Sequence, residues 1–586
     1  MRIGNQISRY KTEGHGDTGT RGHGDTGNPL SASPCLSFTT SSSSFAPRRL
    51  PLFLASLTIG GLGATLGLIS PGLTQETTSV GPSGIDALRL HAFPYNLIGR
   101  KIAIGQVEIG RPGQFGIDKA ASKSPAITLA GVFLRNGPAK ENTNVDNHAL
   151  YVASVMISDR KQLRGVAPGA RLYSTAVGSL KTSGQPEECL SAQHVALQNG
   201  GDVRAINFSF GETLQRDPRR GALLDGDALL TQCIDWSARV HDVVYAIAGN
   251  QGKGGIPIPT DNFNGLNVAF TTRREGVYRK LDVSNLSNAT GGVGGRLKGR
   301  EINLGSRRAI SIVAPGRNIF ALNSQAREIR VTGTSFAAPH VTATVALLQE
   351  YGDRNIRIAS KILTSQPQWS LDARRHQVTK AVLLNSADKV QDGGNGSHLG
   401  MSRTIIDKQT LDWTHSDAYR EPKITLHAEM GTGQLNAFRA YQQFSAGQWK
   451  PSKTVPAIGW NYDLVKAASS QDYVLASPLQ RGSFVAVTLV WDRLVDLRDR
   501  NLNGQFDVGE NFSDRGLNNL DLYLLNAESN TPVSAICTSI SEVDSVEHIF
   551  CPVPTTGNYK IRVQFRQQVN VSTQPYGIAW WTVPER

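Results

Sequence analysis

The chain has 586 residues, enough for two to four domains of roughly 150 residues, each able to bury a core. With 39% hydrophobic and 19% charged residues, and only 59 glycines and 27 prolines, it is neither disordered throughout nor collagen-like. The net charge of +13 is scattered, in runs no longer than pairs such as Arg273-Arg274 and Arg307-Arg308, which speaks against a dedicated nucleic-acid binder.

Residues 1–47 read as a low-complexity segment. A Gly-His-Gly-Asp-Thr-Gly unit occurs at Gly14–Gly19 and again at Gly22–Gly27, and two histidines in such a tract seldom bind metal. Arg48-Arg49 then lead into an uncharged span. Its apolar centre, Leu52–Ser70, is 19 residues long, and about 1.5 Å per residue carries that across a hydrocarbon core of about 30 Å. Residues 48–71 are therefore expected to be a secretory signal or an N-terminal membrane anchor, with the rest of the chain exported. A linker is expected at 72–84.

From 85 to 450 short β-branched runs alternate with helical patterns. Ile102–Val107, Arg171–Ala176, Val203–Phe208 and Val243–Ala248 read as strands. His148–Ser158, Ser191–Gln198 and Leu229–Val240 read as the helices between them. That alternation predicts an α/β domain with a parallel sheet flanked by helices. Prolines at 451–456 suggest a linker over 451–470. Beyond it, over 471–586, short alternating runs without a helix predict an all-β sandwich. Cys189, Cys233, Cys537 and Cys551 form an even set after the apolar segment, which fits two local disulfides in an oxidising compartment.

The sharpest chemical signal is Gly333-Thr-Ser-Phe-Ala-Ala-Pro-His340 ahead of the helical run Val341–Leu348. A serine at a loop-to-helix junction points its hydroxyl outward beside free N–H groups and the positive end of the helix dipole, which suits an oxyanion. Upstream, Asp146-Asn-His148 opens another helical segment. Farther on, Val243-Val-Tyr-Ala-Ile-Ala-Gly249-Asn250 is a buried strand with an amide at its end, where open α/β sheets place their sites.

These segments resemble those of the subtilisin-like serine peptidases over about residues 85–395. Gly333-Thr334-Ser335 is similar to that family's nucleophile signature, His148 to its general base and Asn250 to its oxyanion amide. Gly165-Val-Ala-Pro-Gly169, Ala314-Pro-Gly316 and Lys380–Lys389 resemble further landmarks. Ile206-Asn-Phe-Ser209-Phe210-Gly211 is similar to the segment that pairs with an extended substrate. The resemblance implies a serine endopeptidase acting on polypeptides through an acyl-enzyme, without an organic cofactor and as a monomer. It also implies a folded pro-domain, for which the few residues between the apolar segment and Ile85 leave no room.

Two departures bear on activity. Gln106-Val-Glu108-Ile-Gly110 stands where the family carries an aspartate, so Glu108 is expected to orient His148, with Asp118 in a polar loop as the competitor. His148-Ala149 replaces the family's His-Gly, adding a methyl beside the base. The alternative function is an impaired pseudo-peptidase that binds peptides in the same groove. The β-domain resembles jelly-roll-like modules of some family members, and packing against the catalytic domain is its expected role.

A calcium loop is expected in that domain. Asp499, Asn501, Asn503, Gly504, Gln505, Asp507 and Glu510 fit the twelve-position pattern Asp-x-Asn-x-Asn-Gly-x5-Glu. Alternate side chains converge on one point, the Gln505 carbonyl adds an oxygen, and Glu510 closes the shell.

Overall fold

The computed structural model describes residues 79–121, 126–179, 184–249, 257–274, 276–281, 307–359 and 368–585, which belong to one compact unit. The low-complexity segment, the apolar segment at 48–71 and Asn250 lie outside the described residues. Among the described residues no helix is long and apolar enough to cross a membrane.

The β-branched runs form the strands of a mixed sheet: β1 (Ala103–Glu108), β2 (Leu129–Leu134), β3 (Arg171–Ala176), β4 (Val203–Phe208), β5 (Val244–Ala248), β6 (Leu266–Arg274) and β7 (Val277–Lys280). Across the sheet their order is β7–β6–β5–β4–β1–β3–β2. Among these seven strands, neighbours run parallel except β6 and β7. β1 and β4 are buried at every position, as strands covered on both faces are. β1 lies between β3 and β4, so the strands that follow it in the chain fill first one side of it and then the other. In open α/β sheets a reversal of this kind is where a binding crevice is expected, at the carboxyl ends of the strands, and Glu108 and Ser209 lie at those ends.

The helices α1 (Asn147–Ile157), α2 (Gln185–Ala196), α3 (Leu229–Val240), α4 (Ala338–Ala359), α5 (His376–Asn385) and α6 (Ala437–Ser445) surround the sheet. A disulfide between Cys189 and Cys233 joins α2 to α3, and a second joins Cys537 to Cys551.

The C-terminal region is a sandwich of two four-stranded sheets. One contains β8 (Ile458–Lys466), β10 (Phe484–Trp491), β15 (Val546–Pro552) and β17 (Thr573–Trp581), in the order β8–β17–β10–β15. The other contains β9 (Ser470–Val474), β13 (Asn519–Asn526), β14 (Thr538–Ser539) and β16 (Tyr559–Gln567), in the order β9–β16–β13–β14. A hairpin of β11 (Val495–Arg498) and β12 (Asn511–Asp514) projects from it. β8 lies inside the segment expected as a linker. It is an edge strand buried on only part of its length, so its hydrophobic alternation is weak in the sequence.

The sandwich is packed into the α/β domain. Trp460, Val490 and Ala579 share one apolar core with Val341 and Leu347 of α4. Gly577 of β17 faces α5 so closely that a Cβ there would sit 2.5 Å from the Gln377 carbonyl carbon, and only glycine permits that approach. Gln443 donates to the carbonyls of Gly459 and Trp580, each at 2.9 Å.

An ionic clasp crosses the same interface. His376, fully buried at the start of α5, has Nδ1 2.7 Å from Asp242 and Nε2 3.0 Å from Asp492, which follows β10. Burial alone would lower its pKa, but the two carboxylates outweigh it and raise the ring to about 9. The folded value lies above the unfolded value of about 6.5. The stabilisation is therefore complete below that value and is lost as pH rises through about 9. Asp492→Asn is expected to cost on the order of 3–5 kcal/mol at pH 6. Thermal melts of both proteins across pH should show the gap closing above pH 9, and a pH-independent gap would contradict the clasp.

Candidate active site

Glu108 is the last residue of β1, in register with Ala176 of β3, and is 1% exposed. Pairing with β3, and the Val177 N–H donating to its carbonyl at 2.8 Å, fix its backbone. The carboxylate still reaches His148, where Oε2 lies 3.1 Å from Nδ1. The longer side chain thus absorbs its extra methylene without losing the contact. A carboxylate only accepts, so Nδ1 carries the proton and Nε2 presents its lone pair to the crevice.

His148 sits in the first turn of α1. Asp146 caps that helix by accepting from the Ala149 N–H at 3.2 Å. The methyl of Ala149 is fully buried, and the Ala149 carbonyl accepts from Gln106 Nε2 at 2.8 Å. The alanine is accommodated in the core, tied to β1. Burial raises the pKa of Glu108, partly offset by His148. For His148 burial favours the neutral ring, but the Glu108 carboxylate outweighs it and the net direction is upward.

Asp118, read from the sequence as a polar-loop residue, is 3% exposed and fully engaged. Arg111 grips it with two bonds of 2.6 and 2.8 Å, and the N–H groups of Gln114 and Asn142 also donate to it. Against its burial, these partners hold its carboxyl below the usual range. It organises the loop after β1 and offers no free oxygen for an imidazole.

Ser335 lies in a single 3-10 turn, Thr334–Phe336, leading into α4. Its Oγ donates to the Ser209 carbonyl at 3.1 Å. In return Ser209 Oγ donates to the Ser335 carbonyl at 2.9 Å and accepts from Asn207 Nδ2 at 2.8 Å. The Phe336 ring packs beside the His148 ring, centroids 5.4 Å apart. The Ser335 turn, the His148–Glu108 pair and the residues after β4 therefore meet in one place.

Of the expected substrate-strand residues, Ser209 and Gly211 continue from β4 beside that turn. The Phe210 side chain does not line the crevice: it is 7% exposed and stacked on Phe208 at 4.4 Å. Sequence reading missed Asn207 and Gln106, although both fall within segments singled out for their neighbours. The expected metal ligands Asp499, Asn501, Asn503, Gln505, Asp507 and Glu510 lie elsewhere, in the β11–β12 hairpin loop. Among the described residues no group of three or more His, Cys, Asp or Glu is arranged to hold a metal ion.

A carboxylate–imidazole pair near a serine on a helix-leading turn, at the carboxyl ends of parallel strands, is the set of groups that a serine hydrolase uses. Residues 119–402 match the model of the subtilase family, Peptidase_S8. Subtilisin DY of Bacillus licheniformis is 26% identical over 277 residues, which is 47% of this chain and 85% of that relative. Subtilisin Savinase of Lederbergia lenta is 24% identical over 282 residues, 47% of this chain and 86% of its own length. Thermitase of Thermoactinomyces vulgaris is 23% identical over 272 residues, 46% and 76% respectively. The match covers just under half of the chain and supports a subtilisin-like serine peptidase, an enzyme of the serine endopeptidase class.

Proposed function

We propose that the chain hydrolyses peptide bonds through an acyl-enzyme, with Ser335 as nucleophile, His148 as general base and Glu108 as the orienting carboxylate. The observation that carries this reading is the 3.1 Å Glu108–His148 bond, which leaves Nε2 free beside the Ser335 turn. At rest the Ser335 hydroxyl donates to Ser209. An extended substrate strand lying along Ser209–Gly211 would offer its own N–H to that carbonyl, and rotation of Ser335 about χ1 would then bring Oγ to His148. Transfer of the Oγ proton to Nε2 accompanies attack on the carbonyl. The imidazolium, stabilised by Glu108, returns the proton to the leaving amine. Backbone N–H groups at the Ser335 turn and the amide of Asn250 are the proposed oxyanion donors. Labelling of the exported domains by a fluorophosphonate, with Ser335→Ala as control, tests the assignment. The two disulfides support export, since cytosolic reductants oppose such bonds.

We further propose calcium binding at the β11–β12 loop. The donor set is all oxygen, as a hard cation needs. The amides of Asn501 and Asn503 already converge on Asp507 Oδ2 at 2.7 and 2.8 Å, and Glu510, 4% exposed, holds the N–H groups of Arg500 and Asp507 at 2.8 and 3.0 Å. Turning the two amides inward would add their carbonyl oxygens to the carboxylates. The loop is anchored on the catalytic domain, because Gln193 of α2 binds both the N–H and the carbonyl of Phe506, at 2.5 and 3.1 Å. Phe506 also packs with Phe512 against Cys189 and Cys233. With three carboxylates the affinity is expected on the order of 10⁻⁴–10⁻³ M. Millimolar calcium should raise Tm in wild type but not in Glu510→Ala. Calorimetry showing equal shifts in both would leave the loop a hydrogen-bonded turn.

A further inference from the structure

Residues 79–84, expected only to link, thread into the α/β domain together with Ile85 and Asp86. The Ser79 carbonyl accepts from the Ile85 N–H at 2.7 Å, and the Val80 carbonyl accepts from the N–H groups of Ala87 and Leu88 at 2.8 and 3.1 Å. A Cβ on Gly84 would lie 1.9 Å from the Ser79 carbonyl oxygen, so this loop closes only with glycine. Val80 and Ile85 join the main core. The Ile85 carbonyl accepts from Ala437, the Gly84 carbonyl from Arg403 and the Ser83 carbonyl from the Tyr278 hydroxyl.

These anchors hold Ser79 Oγ 2.7 Å from Nε2 of His340, 261 residues away in sequence. His340 is fully buried, and its Nδ1 lies 2.8 Å from the Phe336 carbonyl. Burial lowers its pKa to about 4, so the ring is neutral and carries one N–H. A carbonyl can only accept, which puts that proton on Nδ1. Nε2 is then an acceptor, and the Ser79 hydroxyl donates to it. Phe336 follows Ser335 directly, and its ring packs beside His148.

We propose that Ser79 is a positioning residue for the peptidase site: its hydroxyl fixes the tautomer and orientation of His340, which holds the Phe336 carbonyl and with it the turn bearing Ser335. The proposal rests on reading Ser335 and His148 as nucleophile and base. Without the hydroxyl, Nε2 is a buried acceptor with no partner, and the ring is free to turn or to move its proton. The Ser335 turn then loses its support from below, and a misplacement near 1 Å costs up to about a hundredfold in rate.

The test uses the full chain. Ser79→Ala is expected to lower kcat by about ten- to a hundredfold with KM unchanged. Ser79→Thr, which keeps the hydroxyl, should restore most of it. Val80→Ala loosens the same segment without touching the bond, and should lower Tm while keeping kcat. Selective histidine ¹⁵N NMR should report an Nδ1-protonated His340 in wild type and a changed signal in Ser79→Ala. An unchanged kcat or spectrum in Ser79→Ala, no rescue by threonine, or an equal kcat loss in Val80→Ala overturns the proposal. A wild-type chain that takes no fluorophosphonate fails the catalytic assignment itself, and the role of Ser79 with it.

Discussion

Ser335→Ala is expected to reduce kcat on unfolded protein substrates by on the order of 10⁶, and His148→Ala by a similar amount. The two groups act as one unit: without the base the hydroxyl is a poor nucleophile, and without the hydroxyl the base has nothing to activate. The double variant should therefore be little worse than either single one, a non-additivity that independent contributors would not produce. Folding is not at stake. Ser335 is only half-buried, and its side chain contributes one hydrogen bond, to the Ser209 carbonyl. Circular dichroism and Tm close to wild type, with hydrolysis and probe labelling lost, is the expected result. Wild-type turnover in either single variant would remove the assignment.

Glu108→Gln is expected to lower kcat by about 10⁴. The amide can present N–H to Nδ1 as readily as oxygen, which stabilises the wrong tautomer, and it lacks the charge that supports the imidazolium. The pH profile gives an independent reading. The base works as the neutral ring, and Glu108 raises the His148 pKa against the opposing effect of burial. Activity is therefore lost as pH falls through that raised value. Removing the carboxylate should move this acidic limb to lower pH while the plateau drops. Glu108→Asp should keep partial activity, because strand register fixes the backbone and the shorter side chain only lengthens the bond. Asp118→Asn should loosen the loop held by Arg111 and lower Tm, with kcat largely retained. A fully active Gln variant together with a dead Asp118→Asn would transfer the orienting role to Asp118.

Both predictions draw on parts of the site that were legible in the chain before folding was considered. Glu108 closes a β-branched run, His148 opens a helical pattern behind a capping aspartate, and Ser335 precedes the apolar face of α4. Strand ends and helix starts are local events, set by side-chain periodicity, capping and backbone propensity within a dozen residues. The alternation of such elements also implies the parallel sheet, and a parallel sheet gathers its strand ends on one edge.

Other features depended on residues far apart in the chain. Phe210, within the expected substrate strand, turns its ring onto Phe208 because the pleat and the packing of α2 and α3 decide which face is interior. Asp118 is polar by type and sits in a loop, yet Arg111 and two N–H groups make it a buried anchor. β8 carries too weak an alternation to stand out until β17 pairs with it.

By itself, the sequence determined most of the elements, the sheet class, the disulfide-forming cysteines and the residues proposed for the strand end, helix start and nucleophile turn, since each follows from short-range spacing. Only the tertiary structure decided that Glu108 reaches His148 despite its extra methylene, that Asp118 is already taken, that the sandwich clasps His376 through Asp492, and that Ser79 sits beneath the Ser335 turn. Those outcomes depend on distances of a few tenths of an ångström between segments up to 261 residues apart, and such distances are set by close packing of the whole core.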